Sequence, residues 1–305
     1  LTPQVTIQQE PGWIKNLAFS ADGILLASPA THEELKIWRV EDGSVEVSLK
    51  GHTARITCAA FSPDGKYLAT GSQDTSIILW DVSDWSIVKK LEGHDSFVNS
   101  VAFSPNNKFL ASGGEDRRVV LWDVESGEQL HRFDDPIQWL RKVEFSSDSG
   151  LIAAASAETR ARVWLVDRGE ILWMVLGPSS ISTLAFTPHG SIMATASGAC
   201  WPKDWGCDPI SPIIFWDMSD GTQIRTTEEK TLVIDITFSS DGNLIFAGVD
   251  IDNRIDIFRV ADGSRLWQLM GHEERITALA TNADGDLFAS GDSSGKIILW
   301  GLPGD

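Results

Sequence analysis

The chain has 305 residues, 42% apolar and 22% charged, the balance of an ordinary globular protein, so neither disorder nor a fibrous class fits. No apolar run approaches the roughly 20 residues that a membrane-spanning helix needs. The formal charge of −18 would repel phosphate backbones, which makes nucleic acid and anionic membrane surfaces poor partners and reads as a solubility feature.

In chain order, the first readable element is an alternating run at residues 5–9. It follows neither a basic n-region nor an apolar h-region, so localisation is not legible at this end. From there a period governs the chain. A residue closing an apolar strand recurs as Trp38, Trp80, Trp122, Trp164, Trp216, Phe258 and Trp300, at intervals of 42 residues except for one of 52 between Trp164 and Trp216. A second marker keeps step: Phe19, Phe61, Phe103, Phe145, Phe186 and Phe238 precede turns, with Thr281 in the seventh place.

The second unit shows the pattern best. Short β-branched or aromatic runs at 56–61, 67–71, 77–80 and 87–91 are separated by turn residues such as Pro63, Asp64 and Gly65. Four antiparallel strands per unit cannot bury both faces alone, but seven such sheets standing radially can. The expected fold is all-β, a single seven-bladed propeller over residues 1–305. The seventh unit ends at Trp300 and lacks a fourth strand. Residues 5–9 are expected to pair with 297–300 and close the circle, removing two exposed edges.

The enlarged fifth unit carries its extra residues at 198–212, between its second and third strands. Long loops on a regular scaffold are often functional. There Cys200 and Cys207 are placed to bridge, which would display Trp201 and Trp205 and imply an oxidising, extracytoplasmic compartment. Two free thiols in a cytoplasmic protein are the rival reading, and localisation stays open between them. Two cysteines with no His nearby do not make a zinc set, so no metal is expected. Cys58 lies in a first strand as a small buried residue. Asp250, Asp252, Asn253 and Asp256 resemble a calcium loop faintly, but its glycine and distal glutamate are missing, and Asp252 simply occupies the repeat's usual Asp position.

These units resemble the WD40 repeat along essentially the whole chain. The markers are Gly51-His52 with Trp80-Asp81, Gly93-His94 with Trp122-Asp123, and Gly271-His272 with Trp300-Gly301. The resemblance implies a buried hydrogen-bond chain: His52, Asp74, Thr70 and Trp80 in the second unit, and His94, Asp116, Ser112 and Trp122 in the third. The seventh unit keeps His272, Ser290 and Trp300 but has Ser294 where the Asp belongs, with Asp292 two residues early. The other four lack the Gly-His pair and are expected to rest on packing more than on polar networks. A His–Asp–Ser set invites a hydrolase reading, yet one that recurs with the repeat and sits within strands offers no exposed nucleophile.

The resemblance also places the loops before the first strand and between the second and third strands at one end, the top, with the first strands lining a central channel. Six residues before each Phe marker stand Trp13, Arg55, Phe97, Trp139, Ser180, Leu232 and Arg275. Two further on stand Lys15, Thr57, Asn99, Arg141, Ser182, Ile234 and Thr277, expected on the same face. Between them runs an apolar row, Ile14, Ile56, Val98, Leu140, Ile181, Val233 and Ile276, which reads as packed.

The first row holds two Trp, one Phe and two Arg, the types that dominate binding hot spots. Arg275, Trp13, Arg55, Phe97 and Trp139 form one arc on consecutive blades. With Lys15 and Arg141 beside it, the arc is expected to bind a protein or peptide through aromatic anchors and Arg–carboxylate contacts. The expected function is a non-catalytic, monomeric protein-interaction scaffold without a cofactor. A small-molecule or peptide sensor within a larger, bacterial signalling protein and an enzyme with a channel-mouth site are the alternatives.

Overall fold

The computed structural model describes residues 2–29, 32–133, 138–197, 212–227 and 232–302. Trp201, Trp205, Cys200 and Cys207 lie outside the described residues. Among those described, seven four-stranded antiparallel sheets form, each strand pairing with the next in sequence. Blade 2 is representative, with strands Ile56–Phe61, Tyr67–Ser72, Ser76–Asp81 and Ile87–Glu92 from the axis outward.

Blade 7 takes its outermost strand from the other end of the chain. Thr2–Gln8 pairs antiparallel with Lys296–Gly301, Ile7 opposite Ile297 and Thr2 opposite Gly301. The sheet interior thus meets no open edge at the point where the chain's two ends come together.

The core consists of seven apolar clusters, and each is one interface between neighbouring blades. Blades 2 and 3 share Leu79, Leu91, Val101 and Trp122; blades 7 and 1 share Leu299, Ile297, Ile7 and Trp38. The apolar row from Ile14 to Ile276 lies in these interfaces, each member at most 1% exposed. Its close approach explains a glycine: a Cβ on Gly71 would stand 2.7 Å from Val98 Cγ1 of the next blade, and one on Gly291 would stand 2.7 Å from Ile14 Cγ2.

Blade 1 departs from the expected strand at its inner edge, where only Ala18–Phe19 pairs as strand, so Trp13 and Lys15 sit on irregular backbone. In blades 2 to 7 the first strand carries a bulge at one repeated position, between Ile56 and Cys58 in blade 2 and between Leu140 and Lys142 in blade 4. A bulge re-aims the side chain of its extra residue, and this displaces the second of the two rows.

Candidate functional site: the top face and channel mouth

In blade 2, Trp80 donates its indole N–H to Thr70 Oγ1 (2.9 Å), which contacts His52 Nε2 (2.8 Å), while His52 Nδ1 meets Asp74 Oδ2 (2.9 Å). Because the carboxylate only accepts, the proton belongs on Nδ1. Thr70 then donates to Nε2, and every buried polar group is used. Blade 3 repeats the chain through Trp122, Ser112, His94 and Asp116.

Blade 7 completes it with Asp292, 2.7 Å from His272 Nδ1, alongside Ser290 and Trp300. Ser294 does not replace the carboxylate there; its N–H and Oγ–H both donate to Asp292 Oδ1. The glycine before each histidine has a steric cause. A Cβ on Gly51, Gly93 or Gly271 would stand 2.8, 2.7 or 3.0 Å from Cη2 of the blade's own tryptophan.

Burial pulls the His52 pKa below its ordinary value against the opposing pull of Asp74. Burial would raise the Asp74 carboxyl, but hydrogen bonds from Ser76 and Thr53 outweigh it and hold it at about 2.

The remaining blades, expected to rest on packing more than on polar networks, keep buried polar contacts as well, and in blade 5 Trp216 donates to Thr195 Oγ1 (2.8 Å). In blade 1, Trp38 donates to Ser28 Oγ (2.8 Å), and Ser28 donates to the buried Gln9 Oε1 (2.5 Å), so an amide takes the histidine's part. In blade 6 the fully buried carboxylate is Asp256, held by Arg254 Nε (2.9 Å) and Gln268 Nε2 (3.1 Å). Asp252 is exposed and pairs with the same arginine (2.7 Å), so it does not fill the repeat's Asp role. Asp250, Asp252 and Asp256, the three carboxylates of the faint calcium motif, each already face an arginine.

Backbone bonds from the turn after the second strand to the residue before the first strand fix the top end. Gln73 N donates to Arg55 O, Glu115 N to Phe97 O, Ala157 N to Trp139 O and Ser293 N to Arg275 O. At this end Trp13, Phe97 and Trp139 are 52%, 37% and 58% exposed, whereas Ser180 and Leu232 on blades 5 and 6 are buried. Arg275 stacks over the Trp13 ring at 6.0 Å, and Arg55 donates to Trp13 O (3.0 Å). These three members of the arc are therefore in contact. Arg275 also approaches Asp250 (Nε–Oδ1 2.5 Å), close enough for an ion pair but too bent for a hydrogen bond, since its Nε–H is otherwise unsatisfied.

The second row does not share this face uniformly. Thr57 donates to Val98 O, Asn99 to Leu140 O (3.0 Å), Ser182 to Val233 O (3.1 Å) and Thr277 to Ile14 O (2.6 Å). Each clasps the next blade around the ring, a role the strand alternation hides and the bulge creates. Lys15 and Arg141 occupy the same row and make no such clasp. They line an axial cavity of about 410 Å³ walled by first strands of all seven blades.

Below them Lys142 Nζ reaches across to Asp235 Oδ1 (2.9 Å), which also accepts from Thr183 (2.9 Å), while Asp235 Oδ2 accepts from Leu279 N (3.0 Å). Glu144, pushed up by burial, accepts from Phe186 N (3.0 Å). These groups tie blades 4, 5, 6 and 7 together. Burial drives the Cys58 thiol up to about 12, which leaves it without nucleophilic character. Among the described residues no group of His, Cys, Asp and Glu side chains is arranged to hold a metal, and no helix is long and apolar enough to cross a membrane.

A ring of seven four-stranded blades, three of them held by a Trp–Ser/Thr–His–Asp chain, defines a WD40-repeat β-propeller, and the chain belongs to that family. The family model for the WD domain, G-beta repeat, matches residues 43–81, 85–123 and 263–301, the three stretches that carry the complete histidine chains. Each match begins before the outer strand of one blade and ends with the third strand of the next, so the sequence repeat is offset from the sheet.

Among similar proteins, WD repeat and SOCS box-containing protein 1 of Takifugu rubripes is 31% identical over 30% of this chain and 22% of its own length. Guanine nucleotide-binding protein subunit beta-5b of Danio rerio is 35% identical over 21% of this chain and 16% of its own. Guanine nucleotide-binding protein subunit beta-2 of Caenorhabditis elegans is 28% identical over 39% and 30%. The matches thus span less than a third of each of these relatives.

Proposed function

We propose that this propeller is a non-catalytic interaction scaffold that docks a protein or peptide on its top face, along the arc Arg275, Trp13, Arg55, Phe97 and Trp139. The observation that carries the reading is the exposure of three large aromatic rings at one repeated position. Blades 5 and 6 bury small or aliphatic residues at the same place. Large rigid rings held on a pre-formed scaffold give binding area at low entropic cost. Relatives named as G-protein beta subunits are by that name components of assemblies, which supports a binding role here.

The repeated His–Asp–Ser/Thr sets support the non-catalytic reading, because each hydroxyl is occupied by an indole and an imidazole inside the blade. An affinity pull-down with the intact chain and with its Trp139→Ala/Arg55→Ala variant tests the arc. Captured proteins should be lost from the variant, and undiminished capture by a variant with the parent's melting curve rules the arc out.

A further inference from the structure

The bulged position of the first strand has a structural task. Four of seven blades place Thr, Asn, Ser or Thr there and use it to hold the neighbouring blade's carbonyl. Arg141 gives up that clasp in blade 4, and Lys15 stands at the equivalent place in blade 1. Both cations project into the axial cavity instead. Charge here is costly: burial lowers the pKa of Lys15, with Arg55 adding to the effect, and burial lowers that of Arg141, with Arg275 adding to it.

Lys15, Arg55 and Arg141 find no carboxylate within ion-pair distance among the described residues, and the buried Arg55 Nε–H has no acceptor. Glu115 exerts a pull on Lys15 but makes no ion pair with it. The chain carries 43 acidic residues against 25 basic ones, yet none of the described carboxylates pairs with these three cations. A guanidinium left desolvated and unpaired is poised for a carboxylate, and the match in a site partly shielded from water is worth more than on an open surface.

We propose that the channel mouth is a carboxylate receptor: an aspartate or glutamate side chain of a bound acidic peptide enters between Lys15, Arg55 and Arg141, while apolar residues beside it rest on Trp13, Phe97 and Trp139. The proposal rests on the top-face reading above and adds the chemistry of the occupant. A nucleic-acid strand would also offer anions, but its many phosphates would meet the repulsion of the whole acidic surface, whereas a short peptide presents one or two charges at the one place that attracts them.

The position itself supplies the controls. Arg141→Asn and Lys15→Thr install the side chains that blades 3 and 2 use as clasps, so these variants should unfold no earlier than the parent. Random dodecapeptides displayed with both ends joined to carrier protein are selected on the intact immobilised chain. The strongest binders are then synthesised with capped termini and titrated by calorimetry. Enriched sequences should carry Asp or Glu beside aromatic or aliphatic residues more often than the starting library does. Binding should weaken about tenfold or more in Arg141→Asn, in Lys15→Thr and when the peptide's acid is replaced by its amide, as expected for loss of a charge-assisted hydrogen bond.

Peptides that lose affinity for Trp13→Ala/Trp139→Ala but stay within twofold for Arg141→Asn and Lys15→Thr would overturn the carboxylate receptor and leave the top-face reading standing. Peptides indifferent to both sets of variants, or no enrichment at all, would overturn both. Tighter binding of a single-stranded oligonucleotide than of any acidic peptide would also overturn the proposal.

Discussion

His52 is the residue at which this fold meets pH. Its folded pKa is lowered by burial, so between that value and the unfolded value near 6.5 the unfolded chain binds a proton that the folded chain refuses. Stability contributed by the neutral ring is therefore complete above about pH 6.5 and is lost as pH falls through the folded pKa. Asp74, held at about 2, adds a second loss below about pH 4. The midpoint of urea unfolding should fall from pH 7 to pH 5, and His52→Gln should flatten that slope. Gln9 already shows that an amide can occupy the network, so the variant should fold, at a cost of about 1–3 kcal/mol at pH 7 from the imperfectly matched Asp74. A slope unchanged in the variant would remove His52 from the account.

At the scale of strands and blades, what the sequence made legible was whatever recurs at a fixed interval. Trp80 and Trp122 announce blades because the ring must pack at the same height in each, and Phe61 and Phe103 announce turns for the same reason. Asp292 and Gln9 escaped the period because each stands off the repeat's usual register: Asp292 makes the carboxylate's contact two residues early, from the end of the second strand, and Gln9 reaches Ser28 from just past the end of a strand that belongs to another blade. The clasp of Asn99 and its equivalents was hidden more deeply, since alternation along a strand assigns a side and a bulge cancels the assignment.

The spacing of the clasped blades makes a prediction at this scale. Gly71 has no room for a side chain beside Val98 and Cys58, both 2.7 Å from the place of its missing Cβ, whereas blades 4 and 5 carry Ala155 and Ala196 at the equivalent position. Gly71→Ala should force a local shift and Gly71→Val should overpack the interface, costing about 1–3 kcal/mol. Urea unfolding should show a lower midpoint at unchanged slope, larger for Val than for Ala. A Val variant as stable as the parent would mean that blades 2 and 3 are not packed as described.

The whole molecule depends on one non-local pairing. Six of the seven blades are made from consecutive strands, each close to its partner in the chain, but the seventh joins Thr2–Gln8 to Lys296–Gly301 and so converts an arc into a ring. Removing residues 2–9 would take the buried Ile7 from the interface between blades 7 and 1, strip Gln9 from the Trp38 network and leave the backbone of Lys296–Gly301 unpaired. Ile7 alone is worth about 1.5–3 kcal/mol of burial, and in a ring its loss opens the neighbours on both sides. The melting temperature should therefore fall well beyond what a frayed terminus would produce, and the truncated chain should gain a tendency to self-associate through the exposed edge. Destabilisation alone would not prove closure, so the decisive arm adds a synthetic peptide of residues 2–9 in trans. If the strand completes the ring, the peptide should raise the melting temperature of the truncated chain in proportion to the logarithm of its concentration, as any ligand of the folded state must, while a scrambled peptide of the same composition should not. A truncated chain that melts with the parent, or that ignores the cognate peptide, would mean that the circle is held shut by something other than this strand.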